Sequence, residues 1–241
     1  MKKISTLIIA IVVTMATSSA SAQFRLGVTA GMEISTLFDK DDYDNYSSIY
    51  SPKIGLKLGL ITEFSITNNF AIVPELVFAQ RGFTINMSDV VYMMGGYYDG
   101  DAKVKTTINY FQLPINAVIG IFQVNDNCKI SLFTGPYFAY AISGKIFYTN
   151  LTHEERLFFQ YNGASLEEKL SFGSDKDMDH LKAFDFGWNF GAGIELHSFF
   201  FKAQYNLGLS NLSLDMMNSN AIEKNRNIGL SIGYMFNINK D

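Results

Sequence analysis

The sequence predicts an all-β chain, an eight-stranded antiparallel up-and-down transmembrane β-barrel, and three observations carry the prediction. Apolar and polar residues alternate in about eight segments of about ten residues or more, the period and length of membrane-crossing strands. Soluble strands average nearer five or six residues. Long and short connections alternate strictly along the chain. The polar face of the segments is rich in Gly and carries charges of both signs, which suits the lumen of a narrow barrel.

The first segment, 24–35, sets Phe24, Leu26, Val28, Ala30, Met32 and Ile34 against Arg25, Gly27, Thr29, Gly31, Glu33 and Ser35. Segment 53–66 sets Ile54, Leu56, Leu58, Leu60, Phe64 and Ile66 against Lys53, Gly55, Lys57, Gly59, Glu63 and Ser65. Segment 70–83 is less regular. Phe70, Ile72, Leu76 and Phe78 oppose Glu75, Ala79 and Arg81, but Val73 and Val77 share the polar side. In 106–122, Phe111, Leu113, Ile115, Ala117, Ile119 and Ile121 oppose Gln112, Asn116 and Gly120. In 129–145, Ile130, Leu132, Phe138, Tyr140 and Ile142 oppose Lys129, Ser131, Gly135, Ser143 and Lys145. The clearest segment is 183–196, AFDFGWNFGAGIEL. There Phe184, Phe186, Trp188, Phe190, Ile194 and Leu196 are expected to face lipid, and Asp185, Asn189 and Glu195 to face inward, with Gly187, Gly191 and Gly193 leaving room for side chains from across the barrel. Segments 199–210 and 226–237 repeat the pattern. A ten-stranded variant would use part of 146–181 as an extra hairpin, but Leu157-Phe158-Phe159 there lacks sustained alternation.

Short turns are expected at 67–69, 123–128 and 197–198, and long loops at 36–52, 84–105, 146–181 and 211–225. Outer-membrane barrels have short periplasmic turns and longer outer loops, so an even strand count places both termini in the periplasm. A soluble barrel would turn its apolar face inward.

The N-terminus fits export. Lys2 and Lys3 precede an apolar run from about Leu7 to Val13, and the stretch ends Ala20-Ser21-Ala22. That reads as a signal peptide over 1–22, followed by a single barrel domain over 23–241. The apolar run is too short to span a bilayer as a helix. Gln23 stands where a lipoprotein would have Cys, and the lone Cys128 excludes an intramolecular disulfide. Losing Lys2 and Lys3 takes the formal charge from −4 to −6. An acidic exported chain without a basic cluster is not expected to bind nucleic acid. Twenty-one Phe, 13 Tyr and 19 Gly beside only 4 Pro suit an all-β fold.

The inward charges predict a layered network, because an unpaired charge in a narrow lumen is costly. Arg25, Glu63, Glu195 and Lys202 fall near the turn end, with Glu195 and Lys202 flanking one tight turn and expected to pair across it. Glu33, Lys57, Arg81 and Asp185 fall near the loop end, and Glu75 joins the inward set.

VPELVFAQRG (73–82), INYFQLPINAVIG (108–120), GPYFAYAISGK (135–145), FDFGWNFGAGIEL (184–196), YNLGLSNLS (205–213) and KNRNIGLSIGYMF (224–236) resemble the PorT-like small outer-membrane β-barrel family of Bacteroidota. The resemblance covers nearly the whole mature chain and implies an outer-membrane barrel, with outer-membrane lipid around it. Its founding member serves protein secretion through the type IX system, a role not carried over to this chain. Tyr234-Met235-Phe236, followed by five residues, is similar to the terminal signal read by the barrel-assembly machinery during biogenesis.

Candidate sites are few. His153 and His180 lie in the longest loop near Glu154, Glu155, Glu167 and Glu168, without the spacing of a zinc motif. Asp175, Asp177 and Asp179 mimic the start of a calcium loop, but His180 stands where Gly is required and Phe186 where Glu is required. No metal and no cofactor are expected. Tyr92, Tyr97 and Tyr98, with Met87, Met93 and Met94, form a candidate loop contact surface. Strand ends on the loop side carry no His, and no nucleophile–base pair can be read from spacing, so the chain is not read as an enzyme. The expected role is structural or interaction-based, toward an envelope protein or glycan. A narrow solute pore and an accessory subunit of a secretion or assembly machine are the alternatives.

Overall fold

A computed structural model describes residues 23–125, 127–175, 178–214 and 220–237. The expected signal peptide over 1–22 lies outside them. Among the described residues there are nine strands: β1 (Gln23–Lys40), β2 (Tyr50–Thr67), β3 (Phe70–Asn86), β4 (Lys103–Asn125), β5 (Cys128–Thr149), β6 (Glu167–Leu170), β7 (Phe184–Leu196), β8 (Phe199–Gly208) and β9 (Ile222–Asn237). Eight of them close a ring. β1 to β5 pair in sequence, β5 pairs with β7, β7 with β8, β8 with β9, and β9 with β1, all antiparallel.

β6 stands outside the ring. It pairs only with Gly144–Phe147 of β5, beyond the last β5–β7 pair at Tyr140 and Phe184. The described residues of 146–181 therefore add no strand to the ring. They hold the end of β5, a helix and this one short strand.

Four long loops sit at one end: L1 (41–49), L2 (87–102), L3 (150–183) and L4 (209–221). L2 contains helix α1 (Met87–Met93) and L3 contains helix α2 (His153–Tyr161). Thr152 and Glu155 cap each other's backbone at the start of α2, which fixes where that helix begins. Two-residue turns occupy the other end, at 68–69 and at His197-Ser198.

The strands run past the limits that alternation sets. β4 has 23 residues and β5 has 22. Above the lipid band the outward face meets water, so it no longer needs apolar side chains. The period disappears from the sequence while the backbone ladder continues.

β7 shows the inside-out pattern directly. Phe184, Trp188, Phe190, Ile194 and Leu196 are exposed, Phe186 is half-buried against Phe138 with ring centroids 5.4 Å apart, and Asp185 and Asn189 are fully buried. The lumen is not uniformly polar. Ile61, Ala71, Val73, Phe200 and Met235 form an apolar cluster inside it near the turns, which explains why Val73 lies on the polar side of its segment.

Parts of L3 and L4 fold inward. Leu170, Phe172 and Leu181 of β6 and L3 pack on Ile108, Tyr110 and Ala141 inside the barrel. Leu212 and Leu214 of L4 are buried. The Lys182 amide donates to the Leu212 carbonyl, tying L3 to L4.

The inward glycines do not serve side chains from across the barrel, as the sequence suggested. Gly187, Gly191 and also Gly233 are each covered by a ring on the adjacent strand, whereas Gly193 meets the Ser131 hydroxyl instead. Phe133 pairs with Gly191, Tyr137 with Gly187 and Phe200 with Gly233. A Cβ at Gly191 would lie 2.3 Å from the Phe133 ring, and one at Gly233 2.2 Å from the Phe200 ring. An aromatic ring beside a cross-strand glycine fills the lumen locally.

Candidate functional site

The lumen holds the nine inward charges in three tiers. At the turn end, Arg25 donates to Glu63 at 2.7 Å and to both oxygens of Glu195 at 2.5 and 2.8 Å. The three residues come from the start of β1, the end of β2 and the end of β7, and their side chains are 13–17% exposed. Arg is suited to this position because its planar fork serves two carboxylates at once.

Lys202 does not pair with Glu195. In the β7–β8 hairpin Lys202 lies opposite Gly193 and Glu195 lies opposite Phe200. Lys202 instead crosses the lumen to Glu75 at 2.5 Å. Asn116 donates to the same Glu75 oxygen, and Asn189 donates to Asn116. Sequence spacing identified a hairpin neighbour, but only the barrel's closure brings β3 opposite β8.

The third tier is built on Arg81, which is fully buried. Its Nε donates to Glu33 at 2.8 Å, one terminal nitrogen donates to Asp185 at 3.1 Å, and the other donates to Gln112. The guanidinium carbon lies 5.2 Å from the Tyr110 ring centroid and 5.3 Å from that of Tyr137. Asp185 also accepts from Tyr137, Ser210 and Asn225 at 2.9–3.0 Å. Glu33 accepts from Asn206 at 3.0 Å. Lys57 sits between the upper two tiers, flanked by the charges of Glu33 and Glu75 and making no hydrogen bond. The two layers read from sequence thus become three, with Lys57 between layers. Tyr110 and Tyr137 escaped the sequence reading, although both stand on the inward face.

A small cavity of about 60 Å³ lies between the lower tiers, walled by Glu63, Glu75, Glu195, Lys202, Phe133 and Phe200. Above it the Arg81 tier and the apolar loop cap fill the section.

The loop face is the second candidate. Tyr92 and Tyr97 are 80% and 89% exposed. Tyr98 is half-buried and is not a free contact residue. Its hydroxyl donates to Glu155 and clasps L2 to α2. Phe158 and Tyr161 of α2 are exposed beside Leu157, while Phe159 stacks on Tyr148 at 5.0 Å. Thus α2, which the sequence treated as a loop, extends the aromatic surface of L2.

The clasp gives a pH prediction. The Tyr98 hydrogen bond holds the Glu155 carboxyl below its usual range, and the same bond pushes the Tyr98 phenol up. The contact is therefore present above the ordinary carboxylate value and is lost as pH falls through the lowered one. It is lost again as pH rises through the raised phenol value. Tyr98→Phe should return the Glu155 titration toward normal and speed amide exchange in α1 and α2, read by NMR.

The remaining candidates do not assemble. His153 opens α2, and His180 Nδ1 meets Ser171. Asp175 and Asp179 bond to one another through the Asp175 amide, and Asp177 lies outside the described residues. Among the described residues, no group of three His, Cys, Asp or Glu is placed to hold a metal ion.

The family described as outer membrane protein beta-barrel domain matches residues 16–214. Similar solved structures include Ail, the attachment invasion locus protein of Yersinia pestis (14% identity, 89% of this chain and 99% of that one, TM-score 0.39). Neisserial surface protein A is another (9% identity, 90% and 99%, TM-score 0.42), as is Escherichia coli outer membrane protein W (14% identity, 88% and 97%, TM-score 0.37). No curated protein matches the sequence. The chain belongs to the outer membrane protein beta-barrel domain family, and its location is the bacterial outer membrane.

Proposed function

We propose that the chain is a closed barrel that conducts no ions and offers L2 and L3 to another protein or glycan of the cell envelope. The loops face outward and both termini are periplasmic. The observation that carries this reading is the Arg81 tier, which fills the lumen with mutually bonded side chains under an apolar cap. Exposed Tyr92, Tyr97, Phe158 and Tyr161 supply the contact surface.

Their height favours a partner over lipid. The outward apolar row of β5 ends at Ile142, and the strand continues to Thr149. Seven tilted residues raise α2 roughly 15–20 Å above the hydrocarbon boundary. Aromatic residues at that height are out of reach of an interfacial belt.

The finer family assignment, a PorT-like barrel of Bacteroidota, rests on the motifs from 73–82 to 224–236. A place beside a secretion or assembly machine would follow from it. The Ser171 hydroxyl lies 2.8 Å from His180 Nδ1 on L3 but donates to the Met178 carbonyl, so it is not held as a nucleophile, and the reading is not that of an enzyme. Wild-type protein in planar bilayers is expected to show no single-channel steps; regular steps would favour the narrow pore. Mild-detergent extraction should recover a partner with wild type and lose it with Tyr97→Ala/Phe158→Ala. Recovery as a lone monomer would count against the contact role.

A further inference from the structure

The loop surface is acidic along L1 and L2, where Asp41, Asp42, Asp44, Asp89, Asp99 and Asp101 stand. One patch is the opposite. Lys145 on β5 and Lys169 on β6 are directly opposed across the ladder. Like charges so placed repel. Lys53, opposite the buried Ser35 of β1, lies outside the groove but within the fields of Lys105 and Lys145. The Lys53 ammonium is anchored on the Thr106 carbonyl and the Thr107 hydroxyl. Within this group only Glu167 answers, at 3.2 Å from Lys145, and both side chains are about half exposed. Of the charged residues lining the groove, two are ammonium groups and one is a carboxylate, which leaves a positive charge for an anion to meet.

The level of the patch says which anion. Below it the outward wall is apolar, with Phe111, Tyr140 and Ile142 exposed. At the rim, Gln80 donates to Asn109 and Asn109 donates to Ser143, a polar belt along the outside of β3, β4 and β5. The extra residue Ile142 shifts the pairing there, since Asn109 faces Ser143 while Tyr110 faces Ala141. Such a bulge re-aims the residues that follow it. A groove then runs from Tyr140 and Ile142, past Ser143, to Lys145 and Lys169, with Leu170 on its wall. An apolar floor that rises into paired ammonium groups matches an acyl chain below a phosphate.

We propose that this groove binds the phosphorylated headgroup of an outer-leaflet lipid, its phosphate between Lys145 and Lys169 and an acyl chain along Tyr140 and Ile142. The assignment rests on the orientation proposed above, with the loops outside.

The test is native mass spectrometry of delipidated full-length protein titrated with diphosphorylated lipid A. Wild type should bind one lipid. Lys145→Gln/Lys169→Gln should bind roughly tenfold or more weakly, since each lysine near anionic headgroups contributes a severalfold factor. Lys40→Gln on the opposite side of the loop face should bind as wild type. Fully dephosphorylated lipid A should bind weakly, and millimolar inorganic phosphate should fail to displace the lipid. Equal affinity in the double variant, or equal affinity for the dephosphorylated lipid, would overturn the site. Displacement by inorganic phosphate would also overturn it, by assigning the patch to a free anion. Orientation is read separately. Tyr97→Cys in a Cys128→Ser background should react with an impermeant maleimide on intact cells; no reaction would reject the orientation while leaving the binding result standing.

Discussion

Arg81→Met should cost about 3–5 kcal/mol of stability, the range for breaking a buried ion pair by removing one partner. The substitution keeps much of the side-chain volume but leaves Asp185 buried with neutral partners only, and Glu33 with one neutral donor and the more distant charge of Lys57. Asn206 remains for Glu33, and Tyr137, Ser210 and Asn225 remain for Asp185. Neutral donors bind a carboxylate less strongly than a guanidinium does. Urea unfolding of the reconstituted barrel, followed by the single Trp188, measures the loss. Adding Glu33→Gln and Asp185→Asn should restore more than half of it, because the penalty belongs to the stranded charges and not to the missing contacts. If the triple variant is as unstable as Arg81→Met alone, packing against Tyr110 and Tyr137 is the true contribution of Arg81.

Lys57 supplies the contrast. It is as deeply buried as Arg81 yet makes no hydrogen bond. Its carboxylate neighbours each have a cation of their own, Arg81 for Glu33 and Lys202 for Glu75. Lys57→Met should therefore change stability by about 1 kcal/mol or less, since the ammonium has no hydrogen bond to offset its desolvation and each carboxylate keeps its own cation. A loss as large as that of Arg81→Met would mean that Lys57 holds the two tiers together.

The sequence carried the barrel well and the lumen only in part, for physical reasons. Lipid imposes a period of two wherever it touches the wall, so β7 could be read residue by residue as inside or outside. Nothing imposes that period above the membrane. The upper ends of β4 and β5, the helix α2 and the short β6 were accordingly illegible. Inward charges could be named because charges are rare on such strands. Their partners could not, because pairing in a closed barrel depends on which strands face each other. Lys202 reaches β3 for this reason and ignores Glu195 beside it. The interior rings were missed because Tyr110, Tyr137 and Phe200 look like lipid-facing residues until their parity is counted.

Gly31→Val should prevent or severely weaken assembly, whereas Gly193→Ala should be tolerated. Gly31 lies on the seam where the first strand meets the last and is paired with Ser231. A Cβ there would stand 2.0 Å from the Leu230 carbonyl oxygen and 2.8 Å from the Ser231 Cα. Both are backbone atoms of β9, so no rotamer change can relieve the clash. The strands must separate, and each unpaired backbone group within the bilayer costs several kcal/mol. The ~1–3 kcal/mol usual for overpacking is thus a lower bound. At Gly193 the nearest atoms are the Ser131 hydroxyl at 3.2 Å and the Phe201 carbonyl at 3.4 Å, and a hydroxyl can rotate away. Electrophoresis without heating separates folded barrels from unfolded chains. Gly193→Ala should keep the folded band at wild-type intensity, and Gly31→Val should lose most of it. A full folded band for Gly31→Val would show that β1 and β9 can move apart without opening the ring, which would place the strength of the closure in the lumen tiers instead of the seam.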